Sequence, residues 1–231
     1  MSRAKLSCEQ LTGGYGSADV VRGVSATADA GEVLCVIGRN GVGKTTLLKL
    51  LFGFLPCRAG VVTLDGREIQ RLDPTERHRL GISYSPQERP VYDSLDVRDN
   101  LTLMLHDRSI DRYAPYFARF PVLSQRLDQQ AGTLSGGEKK LLSFSRVLAE
   151  NLPLVLLDEP SEGVQWENIL HMASMIEQRK AAGTTFVVVE QNLSFAERIA
   201  DSYLVMDQGR VVLAGGRETI GRAELMAHLQ V

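Results

Sequence analysis

Hydrophobic positions along the chain fall into short runs separated by stretches of helical spacing. Val33-Leu34-Cys35-Val36-Ile37, Leu154-Val155-Leu156-Leu157 and Thr185-Phe186-Val187-Val188-Val189 are apolar almost throughout, and Ile82 to Ser85 predicts another short strand. Strands buried on both faces read this way, because a parallel sheet covered by helices has no wet face. Lys44 to Phe52 carries apolar residues at 47, 48, 50 and 51 and predicts a helix. Glu138 to Glu150 and Asn168 to Ala182 predict two more. Val61 to Leu64 turns at Asp65-Gly66, and Tyr203 to Met206 meets Val211 to Ala214 across Asp207-Gln208-Gly209-Arg210, so hairpins are expected at both places. Residues from about 96 to about 131 predict a mostly helical lobe. It opens at Asp96, with Asp99 three positions on as an N-cap signal, and is broken by Pro115 and Pro121. A last helix is expected from about residue 222. Strands alternating with helices predict an α/β fold with a largely parallel sheet.

The strongest chemical signal follows the first apolar strand. Gly38-Arg39-Asn40-Gly41-Val42-Gly43-Lys44-Thr45-Thr46 contains the pattern GxxxxGK[ST], with a strand ending at Ile37 and a helix beginning near Gly43. Phosphate binding needs that setting. Glycines let main-chain N–H groups turn toward phosphate oxygens, and a helix N-terminus adds partial positive charge. Lys44 can then reach the β- and γ-phosphates, and Thr45 can offer its hydroxyl to Mg²⁺. The Arg39 side chain is able to touch phosphate but is expected to point to solvent. A plain glycine-rich turn with a surface lysine is the competing reading.

A second apolar strand ends in Asp158-Glu159. Carboxylates at the C-terminal end of a buried parallel strand lie at the ligand edge of the sheet. There Asp158 can hold Mg²⁺ and Glu159 can act as general base on water. Alone, the pair equally describes an acidic turn. A third element, Leu134-Ser135-Gly136-Gly137-Glu138, contains S-x-x-E, a helix-starting capping box. The two glycines are not needed for a cap, and they would leave the hydroxyl and bare N–H groups open to an anion.

Composition narrows the classes. Of 231 residues, 44% are hydrophobic and 23% charged, ordinary for a folded soluble domain. Lys plus Arg is 26 and Asp plus Glu is 28, a net charge of −2, so no basic excess points to nucleic acid. Cys8, Cys35 and Cys57 form no CxxC pair and read as reduced thiols of a cytosolic protein, with Cys35 in the core. No apolar run approaches membrane-span length, and MSRAKLSCEQ lacks the apolar core of a signal peptide. A membrane role is therefore expected through a partner. His78, His106, His171 and His228 are scattered, so no metal site is expected from them. Glu76-Arg77-His78-Arg79 reads as a solvated helical face. Trp166 is expected to cap or pack the following helix, with an interface role as the alternative.

The phosphate loop, LSGGE and LLLDEP, in this order and spacing, resemble the ATP-binding subunit of ABC transporters over essentially the whole chain. The resemblance implies a P-loop NTPase core of the RecA-like kind, α/β with a mostly parallel sheet. It adds a small antiparallel β subdomain and an inserted α-helical subdomain at approximately 96–150, all within a single ABC ATP-binding domain covering 1–231. It implies ATP and Mg²⁺ as ligands. Two such domains would face head to tail, so that Ser135-Gly136-Gly137 of one copy, followed by Glu138, meets the γ-phosphate held by Lys44 of the other. Tyr15, in Gly13-Gly14-Tyr15-Gly16, matches the aromatic that stacks on adenine, and Gln87 matches the glutamine that touches Mg²⁺ and senses the membrane partner. The helical insert would dock a coupling helix of a permease. A periplasmic solute-binding protein would act indirectly, and the chain would be peripheral on the cytoplasmic face of the cell membrane.

Two positions depart from the usual pattern. Gln191, in Val189-Glu190-Gln191-Asn192, stands where the family usually has His, and Gln165 stands where an Asp usually follows. Gln191 cannot exchange protons, but its amide can bond the γ-phosphate or the attacking water. Val-Glu-Gln-Asn and EPSEG are similar to the second ATPase of branched-chain amino acid importers, and Glu162-Gly163-Val164-Gln165 to the urea and short-amide branch. The expected function is ATP hydrolysis energising small-solute import. The alternatives are a slow-hydrolysing partner subunit in a mixed pair, an exporter subunit, and a soluble ABC ATPase acting on DNA or ribosomes.

Overall fold

A computed structural model describes residues 4–105 and 108–229. His106 and the first three residues, on which two expectations above touch, lie outside them. The elements in chain order are β1 (Leu6–Gly13), β2 (Val21–Ala28), β3 (Val33–Ile37), α1 (Lys44–Phe52), β4 (Cys57–Leu64), β5 (Arg67–Glu68), α2 (Pro74–Arg79), β6 (Ile82–Ser85), α3 (Val97–Thr102), α4 (Ala114–Arg119), α5 (Pro121–Gln125), α6 (Gly136–Ala149), β7 (Leu154–Asp158), α7 (Trp166–Ala181), β8 (Thr185–Glu190), α8 (Leu193–Ile199), β9 (Ser202–Asp207), β10 (Arg210–Gly216) and α9 (Arg222–Leu229). Two short 3-10 turns cover Asp111–Tyr113 and Ala131–Thr133.

The larger sheet has the order β10-β9-β3-β8-β7-β6. All its pairings are parallel except β9 with β10, which form the expected C-terminal hairpin. β3, β7 and β8 are buried at every position. Their side chains alternate between two cores, as a period of two requires. Val33, Cys35, Ile37, Val155, Leu157, Phe186 and Val188 face one core with α6, α7 and α8. Leu34, Val36, Leu154, Leu156, Val187 and Val189 face the other, shared with α1 and the second sheet. That second sheet is antiparallel, in the order β2-β1-β4-β5.

The register of the parallel strands decides where the chemistry goes. Ile37 pairs with Glu190, Asp158 with Val189, and Ser85 with Leu157. The C-terminal ends of β3, β6, β7 and β8 are therefore level, and the segments that follow all emerge at one edge.

Three expectations need correction. Residues 96–131 are less helical than their spacing suggests: α3 starts at Asp96, whose carboxylate accepts from Asp99 N–H, but ends at Thr102. Pro115 and Pro121 sit in the first turns of α4 and α5, where their missing N–H costs nothing, so they start helices rather than interrupt one. After α5 the chain folds back, and Gln130 bridges to Asp96. The Glu76–Arg79 run is helical, but Arg77 is only 1% exposed, not solvated. Its guanidinium donates to the carbonyls of Leu50, Leu51, Leu72 and Gln70. Finally, the strand alternation assigned nothing before Val33, where β1 and β2 form half of the second sheet. The three cysteines are free thiols.

Candidate functional site

α1 begins at Lys44 directly after Gly43, whose φ of 109° admits glycine far more readily than other residues. No side chain caps that end and its first turn holds no acid, so the opening N–H groups remain available to an anion. Lys44 folds back over the loop: Nζ donates to the carbonyls of Gly38 and Arg39 at 2.8 and 2.9 Å. It also lies 3.3 Å from Glu159 Oε1, a pair of which each side chain is at most 6% exposed.

Four loops converge on the two acids. Thr45 Oγ1 donates to Asp158 Oδ1 at 3.0 Å and lies 3.4 Å from Gln87 Oε1. Gln87 Nε2 donates to Glu159 at 3.0 Å and to Glu162 at 3.2 Å. Gln191 Nε2 donates to Glu159 at 2.7 Å and to Asn40 at 2.6 Å. Glu159 itself has φ 47°, a left-handed conformation that turns its side chain sharply at the end of β7. Burial pushes the Asp158 carboxyl above its ordinary range; the Glu159 charge adds to this, while Thr45, Tyr84 and Lys140 oppose it.

A pocket of about 160 Å³ opens over this cluster, lined by Val20, Asn40, Gly41, Gly43, Lys44, Thr45, Thr46, Gln87 and Glu159. Of the residues singled out from sequence, Asp158 and Gln191 join these through hydrogen bonds, and Gly38 lies beneath Lys44. The others lie apart. Arg39 is exposed, and the Val42 side chain packs in the core below the loop. Tyr15 is half exposed on the rim of a neighbouring groove, its hydroxyl accepting from Lys49 at 3.2 Å. The Ser135 segment does not line the pocket of its own chain. It caps α6: Ser135 Oγ accepts from Glu138 N–H, and the Glu138 carboxylate accepts from Ser135 N–H. A Cβ on Gly137 would meet the Gly163 carbonyl at 2.5 Å, so that glycine has a packing reason, whereas Gly136 faces open space. Trp166 starts α7, half exposed, with the Arg198 guanidinium 5.6 Å from its ring.

Three residues of the cluster were not singled out from the sequence as site residues. Lys140, 7% exposed, donates to the Gln87 carbonyl at 2.8 Å and lies 3.8 Å from Glu162. The Glu190 carboxylate accepts from the N–H groups of Ser161, Gln191 and Asn192, tying the turn after β7 to the turn after β8. Tyr84 donates to Asp158 at 3.3 Å. Only Glu190 had a signal, as a charge ending an apolar strand. The rest depend on pairings between distant segments.

Known proteins resemble this chain along most of its length. The ABC transporter family pattern matches residues 21–162. The chain is 35% identical over 212 residues to the high-affinity branched-chain amino acid transport ATP-binding protein BraG of Pseudomonas aeruginosa, covering 90% of this chain and 91% of that protein. It is 33% identical to the probable branched-chain amino acid transport ATP-binding protein LivF of Archaeoglobus fulgidus, covering 89% of each. It is 31% identical to the lipopolysaccharide export system ATP-binding protein LptB of Escherichia coli K12, covering 92% and 90%. Among solved structures, an ATP-binding subunit of an ABC transporter matches with a TM-score of 0.84 at 26% identity, covering 98% and 99% of the two chains. The ADP conformation of an ATP-binding cassette matches at 0.77 and 26%, covering 98% and 94%.

Proposed function

This chain belongs to the ABC transporter family as an ATP-binding subunit, an ATPase coupled to transport, and from that premise we propose that it drives uptake of a small solute through membrane permease subunits. The solute class is branched-chain amino acids, urea or short amides. Identity to BraG and LivF supports the amino-acid side, and Glu162-Gly163-Val164-Gln165 the urea side. Residues 1–231 act as one ABC domain on the cytoplasmic face of the membrane. Among the described residues no helix is long and apolar enough to cross a membrane.

One observation carries the mechanistic reading: three loops bring Lys44, Gln87 and Gln191 onto the Glu159 carboxylate at the C-terminal edge of the sheet. Lys44 and the N–H groups opening α1 grip the phosphate tail. Glu159, oriented by Gln87 and Gln191, takes the proton of the attacking water. Gln191 has no proton to exchange and serves as a strut for Glu159 and Asn40. Thr45 Oγ1, Gln87 Oε1 and Asp158 Oδ1 form an all-oxygen set within 3.4 Å of the threonine hydroxyl, which fits a hard cation. These three residues would hold Mg²⁺, whose chemistry when bound is neutralisation of phosphate charge. Ser135-Gly136-Gly137, with Glu138 behind it, completes the site of a second ABC subunit, identical or homologous. The helical lobe and the groove beside it take a permease helix, and a periplasmic binding protein supplies the solute.

The test is turnover in the assembled complex. Glu159→Gln is expected to lower the hydrolysis rate about 100- to 10,000-fold while ATP still protects the chain from heat. Equal turnover would remove Glu159 as the base. Identity to LptB supports a second reading, lipopolysaccharide export. Stimulation of the complex by urea or leucine favours import, and stimulation by lipopolysaccharide favours export.

A further inference from the structure

Asp158 is held at both of its oxygens. Thr45 of the phosphate loop donates to Oδ1, and the Tyr84 hydroxyl donates to Oδ2 at 3.3 Å. Tyr84 sits on β6, ahead of Gln87, and faces two ways. Its hydroxyl points at the acid, while its ring stacks on Phe52 at 5.2 Å and 21° and meets Phe54 edge-on at 5.5 Å. Phe54 is 53% exposed. Together with Tyr84, Tyr92 and Arg146 it lines the groove of about 1080 Å³ beside the phosphate pocket. One stiff side chain with two torsions therefore joins the groove wall to the acid.

We infer that Tyr84 is a positioning residue: it fixes the Asp158 carboxylate for Mg²⁺ and ties that geometry to the wall of the groove. This rests on the proposed role of Asp158. The terminal torsion of an aspartate is broad, so a carboxylate with a single donor can rotate. A donor on each oxygen holds it in one plane. A partner that displaces Phe54 moves the Tyr84 ring against Phe52 and, with it, the donor on Oδ2. Occupancy of the groove is thereby felt as a change in cation grip, without passing through Gln87.

The experiment follows thermal unfolding of the full chain at saturating ADP while MgCl₂ is titrated. Tyr84→Phe keeps the ring and removes the hydroxyl. It is expected to raise the MgCl₂ midpoint about three- to tenfold, the factor that corresponds to the net loss of one hydrogen bond of ordinary strength. Protection by ADP without Mg²⁺ is expected to stay as in wild type, and the unfolding midpoint without ligand to report that the ring stack survives. A wild-type MgCl₂ midpoint in Tyr84→Phe overturns the inference. Asp158→Asn is the control and is expected to abolish the Mg²⁺-dependent increment. A wild-type response there removes the underlying reading of Asp158 instead. Phe54→Ala tests the groove arm. It is expected to shift the MgCl₂ midpoint in the same direction as Tyr84→Phe, and an unshifted midpoint overturns the tie to the groove.

Discussion

Asp158 and Glu159 are neighbouring acids, 1% and 4% exposed, and folding must hold both in place. Glu159 also adopts a left-handed backbone conformation, which for a residue with a Cβ costs about 1–3 kcal/mol. Structure that is costly to folding and gathered at one edge is the expected signature of a site kept for chemistry. The effect on stability has a definite sign. Burial raises the Asp158 carboxyl, so the folded chain keeps that proton to a higher pH than the unfolded chain does. Stability present below the ordinary carboxylate range is then lost as pH rises through the raised value. Asp158→Asn is therefore expected to unfold at a higher temperature than wild type at neutral pH without nucleotide. Its unfolding midpoint should also depend less on pH between about 4 and 7. Differential scanning calorimetry across that range checks both, and a variant less stable than wild type at neutral pH contradicts the argument.

Among the elements, α1 links the proposed phosphate site to the fold, and its far end is held by Arg77. The carbonyls of Leu50 and Leu51 belong to the last turn of α1, where Gly53 N–H reaches Leu50 only at 3.3 Å, and both accept from Arg77. A cation at a helix C-terminus also meets the negative end of the dipole. Burial lowers the guanidinium to about 10, still protonated at neutral pH. Arg77→Ala is expected to cost about 2–4 kcal/mol in urea unfolding, because two buried and two half-buried carbonyls lose a charged donor. Arg77→Lys is expected to recover little, since one ammonium cannot reproduce the planar fork. Read along the sequence, the same arginine belongs to a run of charges indistinguishable from a wet helical face. The α6 start shows the opposite case. Ser135 and Glu138 announced a capping box, and the box is present. The packing that requires glycine at 137 came only with the turn at Gly163, distant in the chain.

For the whole molecule, the question is what completes the site. The phosphate pocket and the Ser135 segment lie apart in one chain, and both Ser135 and Gly136 are exposed. If the segment serves the site of a second subunit, ATP is needed to hold two subunits together and hydrolysis lets them part. Glu159→Gln with Mg-ATP is expected to roughly double the mass seen by light scattering, in the presence of whichever ABC partner the complex contains. Adding Ser135→Arg is expected to lower that association by at least about tenfold, through a bulky side chain placed where phosphate should sit. Association unaffected by Ser135→Arg would place the segment outside the interface.

The amino-acid sequence by itself determined the strand–loop–helix of Ile37–Phe52, the acidic end of β7, and an α/β class with a mostly parallel sheet. These are local facts. Hydrophobic periodicity, glycine at a left-handed turn and a lysine beside it act within a few residues of one another. Tertiary structure decided the rest. Level strand ends brought Gln87, Glu159 and Gln191 together, burial turned Arg77 from a surface charge into a helix cap, and β1 found its partners in β2 and β4. Tyr84 reached Asp158 only because β6 lies beside β7. None of this is written in spacing, since a side chain's electrostatic role depends on which distant segments exclude water around it.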